Sequence, residues 1–320
     1  MSIRTSIDRT RRNPRALVIA AILAVYFIWG STYLGLRFGL EGFPPFLLNG
    51  FRFLIAGAVL FVILKFRGRA TATRRQVWNA ARMGVLLLVG GVGLVTLAED
   101  VGVGSGIAAT AVAVIPVWIA LIGGVFGDWP RRREWMGLVV GLAGVLVLAQ
   151  EGDFRASSLG TTLIVIAPIV WAFGSIWGTR LDLPESSMAT AIELIAAGVL
   201  MTAIGPLVGE RITEPPPTVA WVALVYLAIM GSLVAFTAYI FLLKTVRPAL
   251  STSYAYVNPV VAVALGVTLG QETITGPVFV ALPLILVGVA LVATGKAGGG
   301  SREEVSDPSP SFTVSREEAA

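Results

Sequence analysis

Two charged side chains lie inside long apolar runs of the sequence, and they are the residues most clearly suited to a chemical role. Arg52 and Glu193 each lie about 6 to 9 residues, roughly 10 Å of helix, from the start of their runs. A charge near the centre of a bilayer costs a few kcal/mol and is usually paired or beside a water path. We predict that both are intramembrane residues for solute binding or coupling. Whether they pair with each other stays open, because their depths can differ.

Enzymatic and metal chemistry are not indicated by the residue types present. The sequence contains no His and no Cys, which removes the commonest transition-metal ligands and thiolate chemistry. Gly102, Gly104 and Gly106 follow no predicted strand, so they do not form a dinucleotide fingerprint. We therefore predict no enzyme activity, no cofactor and no metal. The predicted partners are a small-molecule substrate and the lipid bilayer; no nucleic acid is expected, and a monomer is compatible with the sequence.

The composition predicts an integral membrane protein. Of the 320 residues, 56% are hydrophobic and 13% charged, with a mean hydropathy of +0.83, whereas soluble domains carry about 25% charged residues. Apolar runs of about 20 residues are typical of transmembrane helices. We predict an all-α polytopic membrane protein with ten transmembrane helices: 16–38, 43–64, 79–98, 105–126, 134–150, 159–180, 187–207, 219–243, 249–269 and 276–295.

The two halves of the chain resemble each other. Segments recur in the same order with spacings between 141 and 144 residues: Gly30-Ser31 with Gly174-Ser175, Arg52 with Glu193, Ala56-Gly57 with Ala197-Gly198, and Pro116 with Pro259. Five helices per half is an odd number, so the second half would enter the membrane from the opposite face. We predict two inverted five-helix repeats, residues 16–150 and 159–295, an arrangement typical of alternating-access transporters.

The positions of the basic residues predict cytoplasmic termini. Of the 24 Lys and Arg residues, 20 lie on the side of the N-terminus in the ten-helix arrangement and three on the other side. Short cytoplasmic loops are enriched in these residues. We therefore assign the basic segment 1–15 and the tail 296–320, which we predict to be disordered, to the cytoplasmic face of an inner or plasma membrane.

Aromatic, hydroxyl and proline residues mark the predicted solute site. Pro116 and Pro259 each remove an amide donor, so these predicted helix kinks free carbonyls that other groups must satisfy; helix packing is the alternative explanation. Trp29 and Trp171 lie deep in their spans, although packing or an interfacial position is the commoner role of Trp. The predicted substrate-binding residues are Trp29, Ser31, Thr32, Glu99, Ser105, Thr110, Trp171, Ser175, Tyr254 and Asn258.

Three parts of the sequence resemble the EamA-type permeases of the drug/metabolite transporter superfamily. They are residues 29–57, beginning WGSTYLG, residues 98–121, beginning AEDVGVGSG, and the pair GD at 127–128 with GQE at 270–272. The resemblance implies a ten-helix inverted-repeat fold and export of amino acids, metabolites or drug-like compounds. The first predicted span lacks a carboxylate, so the proton-binding Glu of the four-helix small multidrug relatives is not expected here.

We therefore predict a secondary active transporter, an exporter of a small amphipathic compound. An uptake or exchange permease is the alternative within this class, because no residue encodes the direction. A channel or lipid scramblase is the alternative from another class, but it would need a continuous polar stripe. If protons drive transport, Glu99 and Glu193 are the predicted carriers, because they lie within a span or at its end near the kinked helices.

Overall fold

The computed structural model describes residues 14–68, 72–103, 108, 112–148, 158–270 and 276–294. Over these residues the regular structure is helical. The helices are α1 Pro14–Leu40, α2 Pro45–Phe66, α3 Arg74–Asp100, α4 Ile115–Val125, α5 Arg132–Leu148, α6 Ser158–Gly178, α7 Ser186–Leu207, α8 Thr218–Thr245, α9 Tyr254–Gly270 and α10 Gly276–Ala293. A single helical turn, Pro248–Ser251, joins α8 to α9.

Six of these helices are long and apolar enough to cross a membrane: α1, α2, α3, α6, α7 and α8. They confirm six of the ten predicted spans and make the chain a multi-pass membrane protein. The other four predicted spans fall on α4, α5, α9 and α10. Those helices have 11, 17, 17 and 18 described residues, below the about 20 that a span needs.

Local capping sets where the second and third helices begin. Pro45 occupies the first turn of α2, where its missing amide hydrogen costs no bond. The amides of Phe46 and Leu47 donate to the two carboxylate oxygens of Glu210, at 2.9 and 3.0 Å. A carboxylate at a helix N-terminus is favourable because the helix dipole is positive there. The segment 208–217 is thereby fixed to the start of α2.

Two close helix contacts join the two halves of the chain. Helix α2 packs against α7, and α5 packs against α10. A pair of glycines with the repeat spacing occupies each contact: Gly57 and Gly198 in the first, Gly144 and Gly288 in the second. A Cβ on Gly57 would lie 2.9 Å from the backbone nitrogen of Ile195, and one on Gly144 would lie 2.9 Å from that of Ile285. The absence of a side chain at these positions lets the helix backbones approach closely.

Two long helices change their winding at corresponding positions. Residues Val85–Gly93 of α3 and Leu227–Ala235 of α8 are π-helical, each over nine residues. The two segments begin 142 residues apart, within the spacing of the sequence repeat. Stretches of π-helix are rare and are frequent at functional sites, because the wider turn redirects carbonyls and side chains.

Gly84 gives a test of how closely α3 packs on α7. An added Cβ at Gly84 would overlap with the carbonyl oxygen of Glu193 and would lie 2.8 Å from the Glu193 Cα. Gly84→Ala should therefore destabilise the protein by about 1–3 kcal/mol, because the backbone must shift. The measurement is the apparent melting temperature in detergent. Gly276→Ala is the matched control, since no atom lies within 4 Å of a Cβ there; equal melting temperatures would contradict the close contact.

Candidate functional site

A large cavity lies among seven helices and has a volume of about 710 Å³, counting the space at its open mouth. We refer to it as the large cavity. Its lining is mostly apolar and aromatic, with polar groups from α1, α2, α8 and α9. The lining residues are Trp29, Thr32, Tyr33, Leu36, Arg52, Phe53, Leu88, Gly91, Val92, Val95, Val112, Ile115, Ala167, Pro168, Trp171, Gly231, Ser232, Phe236, Tyr254 and Asn258. Apolar walls with a few placed polar groups are typical of small-molecule sites.

The indole of Trp29 is fixed by the π-helical segment of α8. Its Nε1 donates a hydrogen bond to the carbonyl oxygen of Gly231 at 3.0 Å. The ring centroid lies 5.6 Å from that of Trp171, 5.1 Å from Tyr239 and 4.7 Å from Tyr254. The π-helical segment thus supplies the carbonyl that orients Trp29. Trp29, Trp171 and Tyr254 line the large cavity, and the Tyr239 ring packs behind them.

Arg52 is held by the same segment. Its side chain is 4% exposed, its Nε donates to Ser232 Oγ at 3.0 Å, and its Nη1 donates to Asn49 Oδ1 at 3.2 Å. Ser232 Oγ in turn donates to the carbonyl oxygen of Leu227 at 3.1 Å. The guanidinium is therefore oriented by neutral acceptors and keeps its positive charge for the cavity. Such a group suits a carboxylate or another anionic group of a solute.

A closed ring of hydrogen bonds joins Trp171, Tyr239 and Ser175. Trp171 Nε1 donates to the Tyr239 hydroxyl at 3.1 Å, and Ser175 Oγ donates to the Trp171 carbonyl at 2.8 Å. Because the single hydroxyl hydrogen of Ser175 is used in that bond, the 2.7 Å contact between Tyr239 and Ser175 must have Tyr239 as donor. We call these three residues the aromatic ring lock. Each of its donors has a defined acceptor.

A small cavity of about 310 Å³ lies on the other side of the aromatic ring lock. Three helices line both cavities in succession. Leu88 of α3, Trp171 of α6 and Phe236 of α8 line the large cavity, and Leu87, Ser175 and Ile240 of the same helices line the small one. The change from one cavity to the other takes about one helical turn on α6 and α8 and occurs between adjacent residues on α3. The ring lock is therefore part of the partition between the two cavities.

Glu193 lines the small cavity, whereas Arg52 lines the large one. Glu193 is 1% exposed, and its Oε2 has no hydrogen-bond partner among the described residues. Lys244, which lines the same cavity, is the cation whose charge acts on it. The structure places the two predicted intramembrane charges apart, and in its described part they form no ion pair with each other.

The other predicted residues divide into those that line a cavity and those that do not. Thr32, Tyr254 and Asn258 line the large cavity together with the two tryptophans, and Ser175 lines the small one. Ser31 lies on another face of α1, where its Oγ donates to the Ile28 carbonyl at 2.7 Å and accepts from the Tyr226 hydroxyl. Ser31 is therefore a packing contact between α1 and α8 rather than part of the cavity wall.

Three more predicted positions concern the acid at the end of α3 and the prolines. Glu99 does not line either cavity, and its Oε1 lacks a hydrogen-bond partner among the described residues. Pro116 lies in the first turn of α4, and Pro259 lies inside α9 next to Asn258. Ser105 and Thr110 lie outside the described residues.

Several residues of the site were not predicted from the sequence. Three of them belong to α8: Ser232 and Tyr239 lie in a run that reads as an unbroken apolar span, and Lys244 follows that run directly. An isolated Tyr or Ser in such a run is weak as a signal. Their partners give them their roles, because Ser232 orients Arg52, Tyr239 closes the aromatic ring lock and Lys244 faces Glu193.

The fold and the site together define a class of protein. Apolar helices that cross the membrane several times around a cavity with a buried charge are the architecture of a membrane transporter. The chain belongs to the EamA-like transporter family, which matches it twice, at residues 16–150 and 158–294. The resemblance stated from the sequence is confirmed, and the family is one of transporters rather than enzymes.

Individual relatives support the same class. The chain is 45% identical over 279 residues to the uncharacterized inner membrane transporter YedA of Escherichia coli (strain K12), covering 87% of this chain and 91% of that protein. It is 23% identical over 280 residues to a "probable amino-acid metabolite efflux pump" of the same organism, covering 83% and 91%. A protein of known crystal structure shares the fold with a TM-score of 0.72 at 24% identity, covering 87% of this chain and 96% of that one.

Tyr239→Phe tests the aromatic ring lock. The substitution keeps the ring and removes the hydroxyl, so the buried Trp171 indole loses its acceptor. We expect a loss of about 1–3 kcal/mol in stability, measured as a lower apparent melting temperature. Tyr226→Phe is the control, because it removes a hydroxyl bonded to Ser31 outside both cavities. A smaller effect for Tyr239→Phe than for Tyr226→Phe would show that the ring lock does not form.

Proposed function

We propose that the chain is a secondary active exporter of small amphipathic solutes that works by alternating access. In this proposal ten helices form two inverted repeats, residues 16–150 and 159–295, and both termini are cytoplasmic. The two cavities are the two ends of one solute pathway. The pathway is open at the large cavity and closed by the aromatic ring lock in the conformation described here.

The observation that carries the proposal is the pair of cavities on opposite sides of one thin partition. Helices α3, α6 and α8 contribute residues to both cavities, so the two cavities are separated by no more than about one turn of each helix. A transporter must keep one side closed while the other is open. In this proposal, rearrangement of Trp171, Tyr239 and Ser175 joins the two cavities, because Trp171 lines the large cavity, Ser175 lines the small one, and Tyr239 is hydrogen-bonded to both.

The inverted arrangement is supported by structural features that recur at the repeat spacing. The π-helical segments, the glycines at the α2–α7 and α5–α10 contacts, and the positions of Arg52 and Glu193 all recur. The Arg52 position lies near the start of α2 and lines the large cavity, while the Glu193 position lies near the start of α7 and lines the small one. Equivalent positions on opposite sides of the partition are expected if the second half is inverted.

The charges at the two ends support an outward-facing large cavity. At the end of the molecule nearest the large cavity, Glu41 follows α1, and Glu210 and Glu214 precede α8. The end nearest the small cavity carries basic residues: Lys65, Arg67, Arg74, Arg75, Arg82, Arg131, Arg132, Arg133, Arg180, Lys244 and Arg247. Because cytoplasmic loops are enriched in Lys and Arg, the small cavity faces the cytoplasm in this proposal.

The large cavity fits a solute with an apolar body and a polar or anionic group. The Trp29, Trp171 and Tyr254 rings offer an apolar wall, and Arg52 offers a positive charge with hydrogen-bond donors. The relative named as an amino-acid metabolite efflux pump supports export of metabolites of this size and chemistry. The proposed substrates are therefore amino acids and related small metabolites.

Arg52 gives the test of this function. Cells that overproduce the chain should accumulate specific metabolites outside, relative to cells that lack it. Arg52→Ala should reduce export per folded molecule by about 10- to 100-fold, the effect of losing a hydrogen bond to a charged group. Trp29→Ala should instead change the apparent affinity and the order of preferred solutes. Uptake of the same solutes by wild-type cells would contradict export, and equal export by Arg52→Ala would place the binding site elsewhere.

Single cysteines test the two-sided pathway, because the chain has no native Cys. A membrane-impermeant thiol reagent added outside should modify Thr32→Cys in the large cavity. It should modify Thr179→Cys in the small cavity only when applied to inverted vesicles. Thr213→Cys and Thr73→Cys, both on exposed segments, report the orientation. Labelling of Thr73→Cys from outside would reverse the proposed topology, and labelling of Thr179→Cys from outside would mean that the partition is open.

A further inference from the structure

The small cavity contains a carboxylate without a direct partner and a lysine near its edge. Glu193 is buried, and no described donor reaches its Oε2. Lys244 is exposed at the end of α8, and its Nζ donates to the Pro184 carbonyl at 3.2 Å. A buried carboxylate is stable when neutralised by a bound cation or a proton. The small cavity therefore has the chemistry of a site for one positive charge.

Building on the proposed function, we propose that Glu193 is a cation-accepting site of the small cavity. It binds one positive charge, a proton or the ammonium group of a solute, when this cavity opens to the inner face. In the conformation described here Lys244 supplies the compensating charge from a distance. When a cation enters the small cavity, it replaces Lys244 as the charge that compensates Glu193.

The repeat gives this site a counterpart. Arg52 and Glu193 occupy equivalent positions, and each lines the cavity on its own side of the aromatic ring lock. The large cavity presents a cation to a solute, and the small cavity presents an anion. A solute with both charges would thus meet a complementary group on each side of the partition.

The charged groups around Glu193 leave Lys244 as its partner. Helix α2 brings Arg52, which is bonded within the large cavity, and α3 brings Arg82, which is exposed. Helix α8 brings Tyr239, whose hydroxyl is used in the ring lock, and Lys244. The π-helical segment of α3 contains no ionisable residue. Glu185, the residue that precedes α7, is a second carboxylate whose charge acts on Lys244.

Position 193 itself is held by backbone packing rather than by a hydrogen bond to its side chain. Gly84 of α3 lies directly against the backbone of Glu193. The contact brings the backbones of α3 and α7 close together at position 193. Glu193 lines the small cavity together with the apolar side chains of Met83, Leu87 and Ile240. Apolar walls weaken the hydration of the carboxylate and strengthen its attraction for a cation.

The test measures binding to the purified protein, so it does not depend on transport. Leucine and 4-methylpentanoate are the probes, because they differ in the ammonium group. If the cation is the solute ammonium, Glu193→Gln should weaken leucine binding by about 10- to 100-fold and leave 4-methylpentanoate binding unchanged. If the cation is a proton, infrared difference spectra between acid and alkaline pH should contain a carboxylic acid band that Glu193→Gln removes.

For Lys244→Met we expect the opposite change in cation binding. Removing the competing charge should strengthen binding of either cation, a result that structural damage would not produce. Glu214→Gln is the control for Glu193→Gln, since Glu214 is exposed on the segment before α8, at the end of the molecule away from the small cavity. Glu193→Asp keeps the charge and should retain cation binding. If Glu193→Gln does not fold, Glu193→Asp and Lys244→Met together test the cation site.

The outcomes separate this inference from the proposed function. Wild-type protein that binds the cation but exports no solute would reject the exporter and keep the cation site. Glu193→Gln protein with unchanged leucine binding and an unchanged carboxylic acid band would overturn the cation site, whether or not the chain transports. A Lys244→Met protein with unaltered cation binding would overturn it as well.

Discussion

The constraint on which this structure depends is that backbone polar groups inside a bilayer must find partners within the protein. In a regular helix they do so by themselves, and the side chains remain free to be apolar. At the π-helical segment of α8 the winding changes, and the Gly231 carbonyl is met by the Trp29 indole while the Leu227 carbonyl is met by Ser232. These polar contacts of the large cavity thus satisfy backbone carbonyls of α8, and they also fix the positions of Trp29 and, through Ser232, of Arg52.

The same constraint explains how a charge is kept in the cavity. Arg52 could have been neutralised by a carboxylate, but its described partners are the neutral oxygens of Ser232 and Asn49. Hydrogen bonds to neutral acceptors orient a guanidinium and reduce the cost of burying it, while its charge stays uncompensated. A solute with a negative group would gain the electrostatic attraction to Arg52 that an internal carboxylate would otherwise have. Under the proposed function, the energetic cost of burying Arg52 becomes a source of selectivity for such a solute.

The sequence predicts the large-scale fold better than the site. Long apolar runs and the spaced recurrence of Gly57 with Gly198 follow directly from what a helix must bury and where two helices must touch, and both are visible in the residues. The π-helical segments have no such signal, because VLLLVGGVG reads as ordinary apolar helix. Ser31 was predicted beside Thr32, but adjacent residues on a helix point about 100° apart. The relation of Arg52 to Glu193 depends on depth and tilt, which a sequence does not contain.

The unequal volumes of the two cavities bear on how the two halves differ. If the halves are inverted copies, identical conformations in both would make the two cavities equal, and the pathway would be open at both faces or at neither. A large cavity of about 710 Å³ and a small one of about 310 Å³, each counting open space, are what the proposed alternating access expects if equivalent helices have different conformations in the two halves. Exchange of those conformations would enlarge the cavity that contains Glu193 and reduce the one that contains Arg52. All three side chains of the aromatic ring lock come from the second half, so in the proposed function its opening is a rearrangement between α6 and α8 within that half.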